Sequence, residues 1–374
     1  MWIDPGAVTL PRRVLMTADT VGGVWTYALE LIGALATYGV EVILATMGRR
    51  LSDAQRRDLH SLPNVCHYES AFRLEWMESP WGDVTRAGDW LLKLAAIHKP
   101  DVIHLNNYGQ AALPFDAPVL LAAHSCVNSW WRAVHRADPP PEWAAYTDLV
   151  RAGVQRAAGI IAPTHAMLDA VRACYGNRPG MRVIPNGRSA YSFQPAAAKL
   201  PLIFSMGRVW DAAKNTALLD AVSGEIAYPI YIAGEGVPSS GGKGNAAPSA
   251  HYLGPLSSEC AAEWLANAEI YALPALYEPF GLSVLEAALS GCALILGDIP
   301  SLRENWDGAA LFVDPRDARA LRTALQRVIA DPALRAELRT KARARAMLFS
   351  PGRMGTATLD VYRTLMQRGA PCGS

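Results

Sequence analysis

The 374-residue chain has no surplus of either charge: 35 Lys and Arg residues balance 34 Asp and Glu residues, and the formal net charge is +1. A protein that binds nucleic acid through its phosphates carries Lys and Arg in excess, so this balance argues against a nucleic-acid partner. It also gives no support for strong electrostatic capture by an anionic membrane. With 51% hydrophobic residues, the chain has enough apolar mass for a large globular core.

Long apolar runs and paired cysteines are missing as well. No uncharged apolar run approaches the ~18 residues of a membrane-spanning helix, and MWIDPGAVTLPRRVLM lacks the basic and apolar regions of a signal peptide. The six cysteines include no C-x-x-C pair, which argues against a metal cluster or a thioredoxin-like motif. We therefore expect a cytoplasmic protein, with peripheral contact at the inner face of the membrane left open.

Several catalytic motifs are absent. The chain has no G-x-S-x-G and no P-loop sequence, which argues against an α/β-hydrolase and a P-loop enzyme. It has neither D-x-D nor H-E-x-x-H, so a metal–nucleotide site of the usual type is not indicated. The missing G-x-G-x-x-G argues against a nicotinamide dehydrogenase. We therefore expect no metal and no resident cofactor.

The pattern that is present is an alternation of strands and helices that occurs twice. It begins with RVLMT, the glycine loop DTVGG, the helical VWTYALELIGALATY and the strand VEVILAT, a βαβ unit that implies a parallel sheet. The remaining strands predicted in the first set are PDVIHLNN, APVLLAAHS, AGIIAPT and MRVIPNG. The second set has the strands LPLIFS, YPIYIAGEG, EIYALPA, CALILGD and AALFVD. Two successive α/β domains are therefore predicted, joined by a linker at NGRSAYSFQPAAAKLP, with a Gly/Ser-rich loop at 237–250.

Ligands of doubly wound sheets bind beyond the carboxyl ends of the strands, so the residues there are the site candidates. The stretch LYEPFGLSVLEAALSGCALI has Glu278 in a Pro/Gly loop and Glu286 in an apolar helical pattern. A buried carboxylate without partners is costly, so Glu286 either lies on a solvated helix face or meets donors such as sugar hydroxyls in a cleft. Between the two glutamates, PFGLS places Gly281 and Ser283 at the start of a helix, where anions bind. This turn favours the cleft.

Further candidates follow other strands. The stretch MGRVWDAAKN contains Arg208 and Lys214, which can converge on a diphosphate, one as a bidentate fork and the other as a point charge. Two ordinary surface cations are an equal alternative. In the first domain, Gly22 and Gly23 follow the first strand, and His124 ends the strand LLAAHS. Tight packing of helix on sheet explains the glycines equally well, and a single histidine is more often structural.

Two stretches are rich in tryptophan. Residues 129–146, SWWRAVHRADPPPEWAAY, contain Trp130, Trp131 and Trp143, which could stack on a sugar or another flat acceptor. Packing of an irregular loop is the favoured interpretation. Residues 72–92, FRLEWMESPWGDVTRAGDWLL, suit an acceptor lip or an interfacial face, and their acids, Glu75 among them, make contact with an anionic membrane less favourable.

Together these segments resemble a retaining glycosyltransferase of family 4, or glycosyl transferases group 1, with the GT-B fold. The resemblance runs in order through the Gly-Gly turn, AAHS, APT, VIPNG, GR…KN, AGEG, the E-x7-E of EPFGLSVLEAALSG, and FSPGR before the last helix. It spans most of the chain and implies two Rossmann-like α/β domains that face each other across a cleft. Residues 1–190 would form the acceptor domain and 191–353 the donor domain, with a C-terminal helix at 354–370 packing back on the first.

The resemblance implies that a hexose moves, with retention, from a nucleotide-diphosphate sugar, UDP- or GDP-linked, to an acceptor hydroxyl in polysaccharide, glycolipid or glycoconjugate synthesis. Glu286 would bind the ribose and Glu278 would face the donor sugar. Arg208 and Lys214 would neutralise the diphosphate without a metal. The implied catalytic residues are Glu278, His124, Arg208 and Lys214. The other donor-binding residues that it implies are Gly22, Gly23, Phe280, Gly281, Leu282, Ser283 and Glu286.

Other functions remain open at this point. The same fold would suit a nucleotide-sugar epimerase or a sugar phosphorylase, and a catalytically silent nucleotide-sugar-binding protein would keep the same residues. Release of nucleoside diphosphate only when acceptor is present separates a transferase from these alternatives. The identity of the acceptor is not encoded in any motif of the sequence.

Overall fold

The computed structural model describes residues 10–236 and 249–369, so most of the predicted Gly/Ser-rich loop lies outside the described residues. The described chain divides into two compact units. The first comprises the residues up to Ser129, Pro139–Gly187 and the residues from Pro351 onward. The second comprises Trp130–Asp138 and Arg188–Ser350.

Each unit is built on its own parallel sheet. The strands of the first are β1 (Arg13–Asp19), β2 (Glu41–Met47), β3 (Val65–Glu69), β4 (Val102–Leu105), β5 (Val119–Ala122), β6 (Gly159–Ala162) and β7 (Met181–Val183). Those of the second are β8 (Leu200–Met206), β9 (Ile230–Ala233), β10 (His251–Gly254), β11 (Ala268–Leu273), β12 (Ala293–Gly297) and β13 (Leu311–Val313). The spatial orders are β3-β2-β1-β4-β5-β6-β7 and β10-β9-β8-β11-β12-β13. The predicted pair of Rossmann-like α/β domains is confirmed.

Helices connect the strands, as parallel pairing requires. They are α1 (Gly23–Ala36), α2 (Asp53–His60), α3 (Trp81–His98), α4 (Val127–His135), α5 (Ala144–Arg156), α6 (His165–Tyr175), α7 (Thr216–Ser223), α8 (Ser258–Asn267), α9 (Leu282–Leu289), α10 (Pro300–Trp306), α11 (Ala318–Ala330), α12 (Pro332–Ala346) and α13 (Pro351–Gly369). Helix α13 belongs to the first unit. Among the described residues, no helix is both long enough and apolar enough to cross a bilayer.

The core of the first unit lies between its sheet and the helices α1 and α13. The two helices approach closely, because a side chain at Gly355 would place its Cβ 2.8 Å from the Cβ of Ala34. His104 is fully buried in this core, with its ring nitrogens 3.3 Å from the Tyr27 hydroxyl and 2.6 Å from the Tyr362 hydroxyl. Burial lowers the pKa of His104 to about 3, so this histidine is a neutral structural residue.

The core of the second unit has two layers, one on each face of its sheet. Because side chains alternate along a strand, Phe204 and Tyr271 pack against α9 on one face, whereas Ile203 and Ile270 pack against α7 and α11 on the other. Strands β8 and β11 are neighbours at the point where the strand order reverses. The segments that follow them therefore leave the sheet at the same edge, where doubly wound sheets bind ligands.

The structure differs from the sequence-based predictions in three places. Strands β3 and β10 were not predicted, and both are edge strands. The interpretation of 129–146 as an irregular loop is wrong, because its first part lies in α4 and its last part in α5. Glu75 is not a surface acid: it is buried and accepts hydrogen bonds from the backbone N–H groups of Tyr108 and Gly109 at 2.9 and 2.7 Å.

Candidate active site

The segment after β8 carries both predicted cations of the second unit. The buried Asp211 accepts a hydrogen bond from the backbone of Ala213 at 3.0 Å and so begins a short 3-10 turn, Ala212–Lys214. Arg208 donates from Nη2 to Asp211 Oδ2 at 2.8 Å, and its guanidinium lies 5.2 Å from the ring centroid of Trp210. The 3-10 turn directs Lys214 back across the start of the segment, where its stem packs over Gly207.

Lys214 and Glu278 form an ion pair across the edge of the sheet. Lys214 Nζ lies 2.5 Å from Glu278 Oε2, and the two side chains are only 15% and 12% exposed. The other oxygen of Glu278 accepts the backbone N–H of Gly281 at 3.0 Å. Both carboxylate oxygens of Glu278 are therefore engaged by donors, and the ion pair joins the loop after β11 to the segment after β8.

The turn PFGLS has the conformation that its sequence predicts. Gly281 has φ +89°, in the left-handed region that favours glycine, and it is the N-cap of α9. Gly281 itself has no side chain that could cap the first turn of α9. Phe280 is buried edge-on against Phe349, with ring centroids 5.5 Å apart, and the partly buried Leu282 packs on the core. Ser283 Oγ lies 2.8 Å from the hydroxyl of Tyr271, which anchors the start of the helix to the sheet.

Glu286 lies on the inward side of α9 rather than on a solvated face. It is 8% exposed, and its Oε1 accepts a hydrogen bond from Arg188 Nε at 2.8 Å. Arg188 is in turn held 4.8 Å above the ring of Phe193. A carboxylate oriented by a guanidinium is a strong hydrogen-bond acceptor of the kind that binding of ribose hydroxyls requires.

A close backbone approach completes this edge of the second unit. Gly234, which follows β9, has φ +150°, and a Cβ there would lie 1.7 Å from the carbonyl oxygen of Gly207. Only glycine fits this position. The segments after β8, β9 and β11 therefore converge, and they bring together Arg208, Lys214, Glu278 and the PFGLS turn in one unit.

The predicted residues of the first unit follow β1 and β5. His124 Nε2 lies 2.7 Å from Asn106 Oδ1, and the His124 ring packs edge-on against Tyr27, with centroids 4.4 Å apart. Burial lowers the pKa of His124 to about 4, so the ring is neutral at pH 7. Gly22, with φ +91°, is the N-cap of α1, and Gly23 begins that helix. Both glycines are exposed.

Three partners of the predicted site residues were missed. Arg188 directly follows the quoted VIPNG, Asp211 lies inside the quoted MGRVWDAAKN, and Asn106 follows β4 in the quoted PDVIHLNN. Asp211 is three residues from Arg208, a spacing that favours contact within a turn, and this was the available signal. Within the described ranges, no group of three or more His, Cys, Asp or Glu side chains is arranged to hold a metal ion.

Two family models match the chain in succession. The model described as Glycosyltransferase Family 4 matches residues 21–189, and the model described as Glycosyl transferases group 1 matches residues 201–331.

Curated relatives match the chain over different lengths. D-inositol 3-phosphate glycosyltransferase of Nocardioides sp. is 36% identical over 126 residues, which are 33% of this chain and only 27% of that relative. The enzyme of the same name from Kineococcus radiotolerans is 25% identical over 415 residues, which cover 96% of this chain and 94% of that relative.

Solved structures share the fold over nearly the whole chain. Sucrose-phosphate synthase from Thermosynechococcus elongatus superimposes with a TM-score of 0.79 at 20% identity and covers 96% of this chain and 100% of its own. The Anabaena protein HepE in complex with UDP-glucose has a TM-score of 0.72 at 16% identity, with coverages of 95% and 99%. With the two family models in succession over most of its length and this likeness of fold, the chain belongs to the family 4, group 1 glycosyltransferases of the GT-B fold.

Proposed function

We propose that this glycosyltransferase moves a hexose from a nucleotide-diphosphate sugar to an acceptor hydroxyl, with retention at the anomeric carbon and without a metal. The observation that carries the proposal is the convergence of Arg208, Lys214, Glu278 and the N-terminus of α9, the helix that carries Glu286, at one edge of the second sheet. Arg208 and Lys214 suit the diphosphate, and the backbone N–H groups at the start of α9 add to the same positive field.

The carboxylates have different surroundings, which supports different roles. Glu286 is buried in α9 and accepts a hydrogen bond from Arg188, and a carboxylate oriented in this way suits a residue that binds ribose hydroxyls. Glu278 has both oxygens engaged, by Lys214 and by the backbone of Gly281. A carboxylate so occupied is a poor nucleophile, which favours same-face attack by the acceptor over a covalent glycosyl-enzyme.

Leaving-group stabilisation is the chemical contribution that these residues would make. Breaking the bond between the anomeric carbon and the diphosphate oxygen develops negative charge on the diphosphate. Fixed cations and amides stabilise that charge without reorganisation at the moment of reaction. In the first unit, the neutral His124 would contact the donor sugar or position the acceptor. The acceptor would belong to polysaccharide, glycolipid or glycoconjugate synthesis.

Calorimetric titration with UDP, GDP, ADP and their common sugar conjugates, in the presence of EDTA, tests the donor. A solved structure of the same fold carries UDP-glucose, so UDP is the first ligand to titrate. We expect selective binding of one nucleoside diphosphate. Binding that requires added Mg²⁺ would overturn metal independence, and binding of none with or without Mg²⁺ would overturn the proposed donor class.

Two substitutions test the residues assigned to the donor. We expect Glu286→Ala and Lys214→Ala each to weaken nucleoside-diphosphate binding at least about tenfold, since each removes a charge-assisted contact. The matched controls are Glu337→Ala and Lys341→Ala, which alter an exposed i,i+4 ion pair on α12 and should bind like the wild type. Because each site variant removes one member of a buried ion pair, thermal unfolding must confirm that it is folded. Wild-type affinity in both would remove these residues from the site.

Product analysis separates the proposed reaction from its alternatives. A transferase releases nucleoside diphosphate only with acceptor present, an epimerase converts the nucleotide sugar alone, and a phosphorylase requires inorganic phosphate. A silent binding protein shows none of these turnovers. The anomeric proton coupling of the product, measured by NMR, then distinguishes retention from inversion.

A further inference from the structure

The carboxylate of Asp211 is surrounded by donors within the second unit. Its Oδ2 accepts from Arg208 Nη2 at 2.8 Å, and its Oδ1 accepts from Trp130 Nε1 at 2.9 Å and from the backbone of Ala213 at 3.0 Å. The residue is only 4% exposed. An acid held in this way keeps its charge and its direction, so Asp211 is a fixed point for the side chains around it.

The guanidinium of Arg208 contacts Asp211 and Trp210, and one of its N–H donors is not used by either contact. Asp211 fixes one terminal nitrogen, and the ring of Trp210 packs against the guanidinium. Arg208 Nε is buried and has no hydrogen-bond partner in the part of the chain that the structure describes. Buried N–H groups are rarely left unpaired in proteins, and a phosphate oxygen is an acceptor of the kind that a guanidinium prefers.

We propose that Asp211 is a positioning residue for the donor diphosphate: it fixes Arg208 so that the remaining guanidinium donors are presented to the phosphate oxygens. The inference rests on the proposed function, since it concerns the same site. The proposal adds Asp211, which contacts Arg208 but does not contact the ligand. A guanidinium held before the ligand arrives loses less rotamer freedom on binding, and this preorganisation raises affinity.

Trp130 is the second part of this arrangement. Its indole N–H approaches the same Oδ1 that begins the turn Ala212–Lys214, so it limits rotation of the Asp211 carboxylate. The segment around it is also anchored further along, because Arg316 donates to the carbonyl oxygens of Ala133 and Val134 at 3.0 and 2.8 Å. Trp130→Phe keeps an aromatic ring at this position and removes the N–H donor together with part of the indole.

A purely structural role for Asp211 makes a different prediction. The carboxylate begins the 3-10 turn, so its loss could loosen the whole edge of the sheet. Loosening would weaken binding of the nucleoside and of the diphosphate alike. Misdirection of Arg208 would weaken binding only of ligands that carry the diphosphate. Uridine and UDP therefore separate the two roles.

The experiment compares wild-type protein with Asp211→Asn, which keeps an acceptor for the turn but loses the charge. We expect the affinity for UDP to fall about tenfold, by calorimetry, and the affinity for uridine, by ligand-observed NMR, to stay unchanged. In an Arg208→Gln background, Asp211→Asn should cause no further loss. Equal losses for UDP and uridine, or additive losses in the double variant, would overturn the positioning role. If the wild type selects GDP or ADP instead, guanosine or adenosine replaces uridine.

One further variant serves as a control, and another replaces Asp211→Asn if that protein does not fold. Asp169→Asn breaks an exposed ion pair with Arg172 that has the same i,i+3 spacing and the same 2.8 Å separation, and it should bind UDP like the wild type. If Asp211→Asn does not fold, Trp130→Phe carries the test, with an expected two- to threefold loss for UDP alone.

The two proposals fail in different ways. A wild-type protein that binds none of the three nucleoside diphosphates overturns both. A wild type that binds one of them, beside a folded Asp211→Asn protein that binds it equally well, overturns only the role of Asp211.

Discussion

A single hydrogen bond to Asn106 determines which ring nitrogen of His124 carries the proton. Asn106 donates from Nδ2 to the carbonyl oxygen of Thr17 at 2.6 Å, which identifies its other side-chain atom, Oδ1, as the acceptor facing His124 Nε2. The proton of the neutral imidazole is therefore on Nε2, and Nδ1 is an acceptor. Such a histidine can receive a hydrogen bond from a sugar hydroxyl, but it cannot supply positive charge at neutral pH.

The pH dependence of turnover tests this state of His124. Because burial lowers its pKa to about 4, the imidazole stays neutral from pH 5.5 to pH 8. We expect His124→Gln to lower kcat/KM by a constant factor over that range, measured as acceptor-dependent release of nucleoside diphosphate. A wild-type profile with a break near pH 6.5 that disappears in His124→Gln would show that the histidine titrates in the working range.

The motif residues of the second unit were predicted from the sequence, whereas their partners were not. Glu278, Glu286, Arg208 and Lys214 were chosen because charged side chains at strand ends or inside an apolar helix require an explanation. Arg188 lies 98 residues from Glu286 in the chain, and no local pattern reveals a contact at that distance. Glu286 is buried rather than solvated and accepts a hydrogen bond from a guanidinium of the protein itself, and its contact with ribose hydroxyls stays a prediction.

At the scale of elements, strand prediction succeeded where strands are buried on both faces. The central strands β1 and β12 are continuous apolar runs, as parallel sheets covered by helices require. The edge strands β3, VCHYE, and β10, HYLG, were missed because they carry polar residues, whereas the shorter edge strands β7 and β13 were predicted. Helix α4 was missed because adjacent tryptophans obscure its periodicity and a proline run follows it. A polar edge strand is specified by its neighbour in the sheet, which the sequence does not reveal.

A substitution of Gly234, in the loop after β9, tests how tightly this loop packs against the segment after β8. Gly234→Ala places a Cβ 1.7 Å from the carbonyl oxygen of Gly207, at a backbone φ of +150° that side chains rarely adopt. We expect the substitution to destabilise the second unit by about 3 kcal/mol, through combined strain and overpacking, and to weaken nucleoside-diphosphate binding as the adjoining Arg208 segment shifts. Thermal unfolding and calorimetry measure the two effects.

A glycine without such contacts serves as the control. Gly352 lies in α13, and a Cβ there would meet nothing within 4 Å. Gly352→Ala should therefore be neutral or stabilise the protein by up to about 1 kcal/mol, since alanine restricts the unfolded chain. If Gly234→Ala unfolded at the wild-type temperature with wild-type affinity, the loop after β9 would not be constrained by Gly207.

At the scale of the whole molecule, the two units differ in the ionisable groups whose pKa values burial shifts. The first unit contains His104 and His124, whose pKa values burial lowers to about 3 and about 4. It also contains Glu75, whose pKa burial raises to about 6. In the second unit, hydrogen bonds and charge from neighbouring arginines lower the pKa values of the carboxyl groups of Asp211 and Asp298, so these groups stay ionised in mild acid. Mild acid should therefore act on the first unit.

The sign of that effect follows from proton uptake in the two states. An unfolded histidine takes up a proton near pH 6.5 and the buried ones do not, so both histidines cost stability as the pH falls below 6.5. Glu75 acts oppositely, because its folded form takes up a proton near pH 6, before the unfolded form does. Two histidines outweigh one glutamate, and the first unit should lose about 2 kcal/mol between pH 6.5 and pH 5.

Hydrogen exchange at pH 6.5 and pH 5, corrected for the intrinsic exchange rates, measures this loss strand by strand. We expect faster exchange in the most protected amides of β1, β4 and β5 at pH 5, with little change in β8, β11 and β12. His104→Gln removes one of the two histidines while Glu75 still offsets the other, so the pH dependence of the first unit should fall to about a quarter. Equal acid sensitivity in both units, or a first unit that is more stable at pH 5, would show that the buried histidines do not control the acid response of the chain.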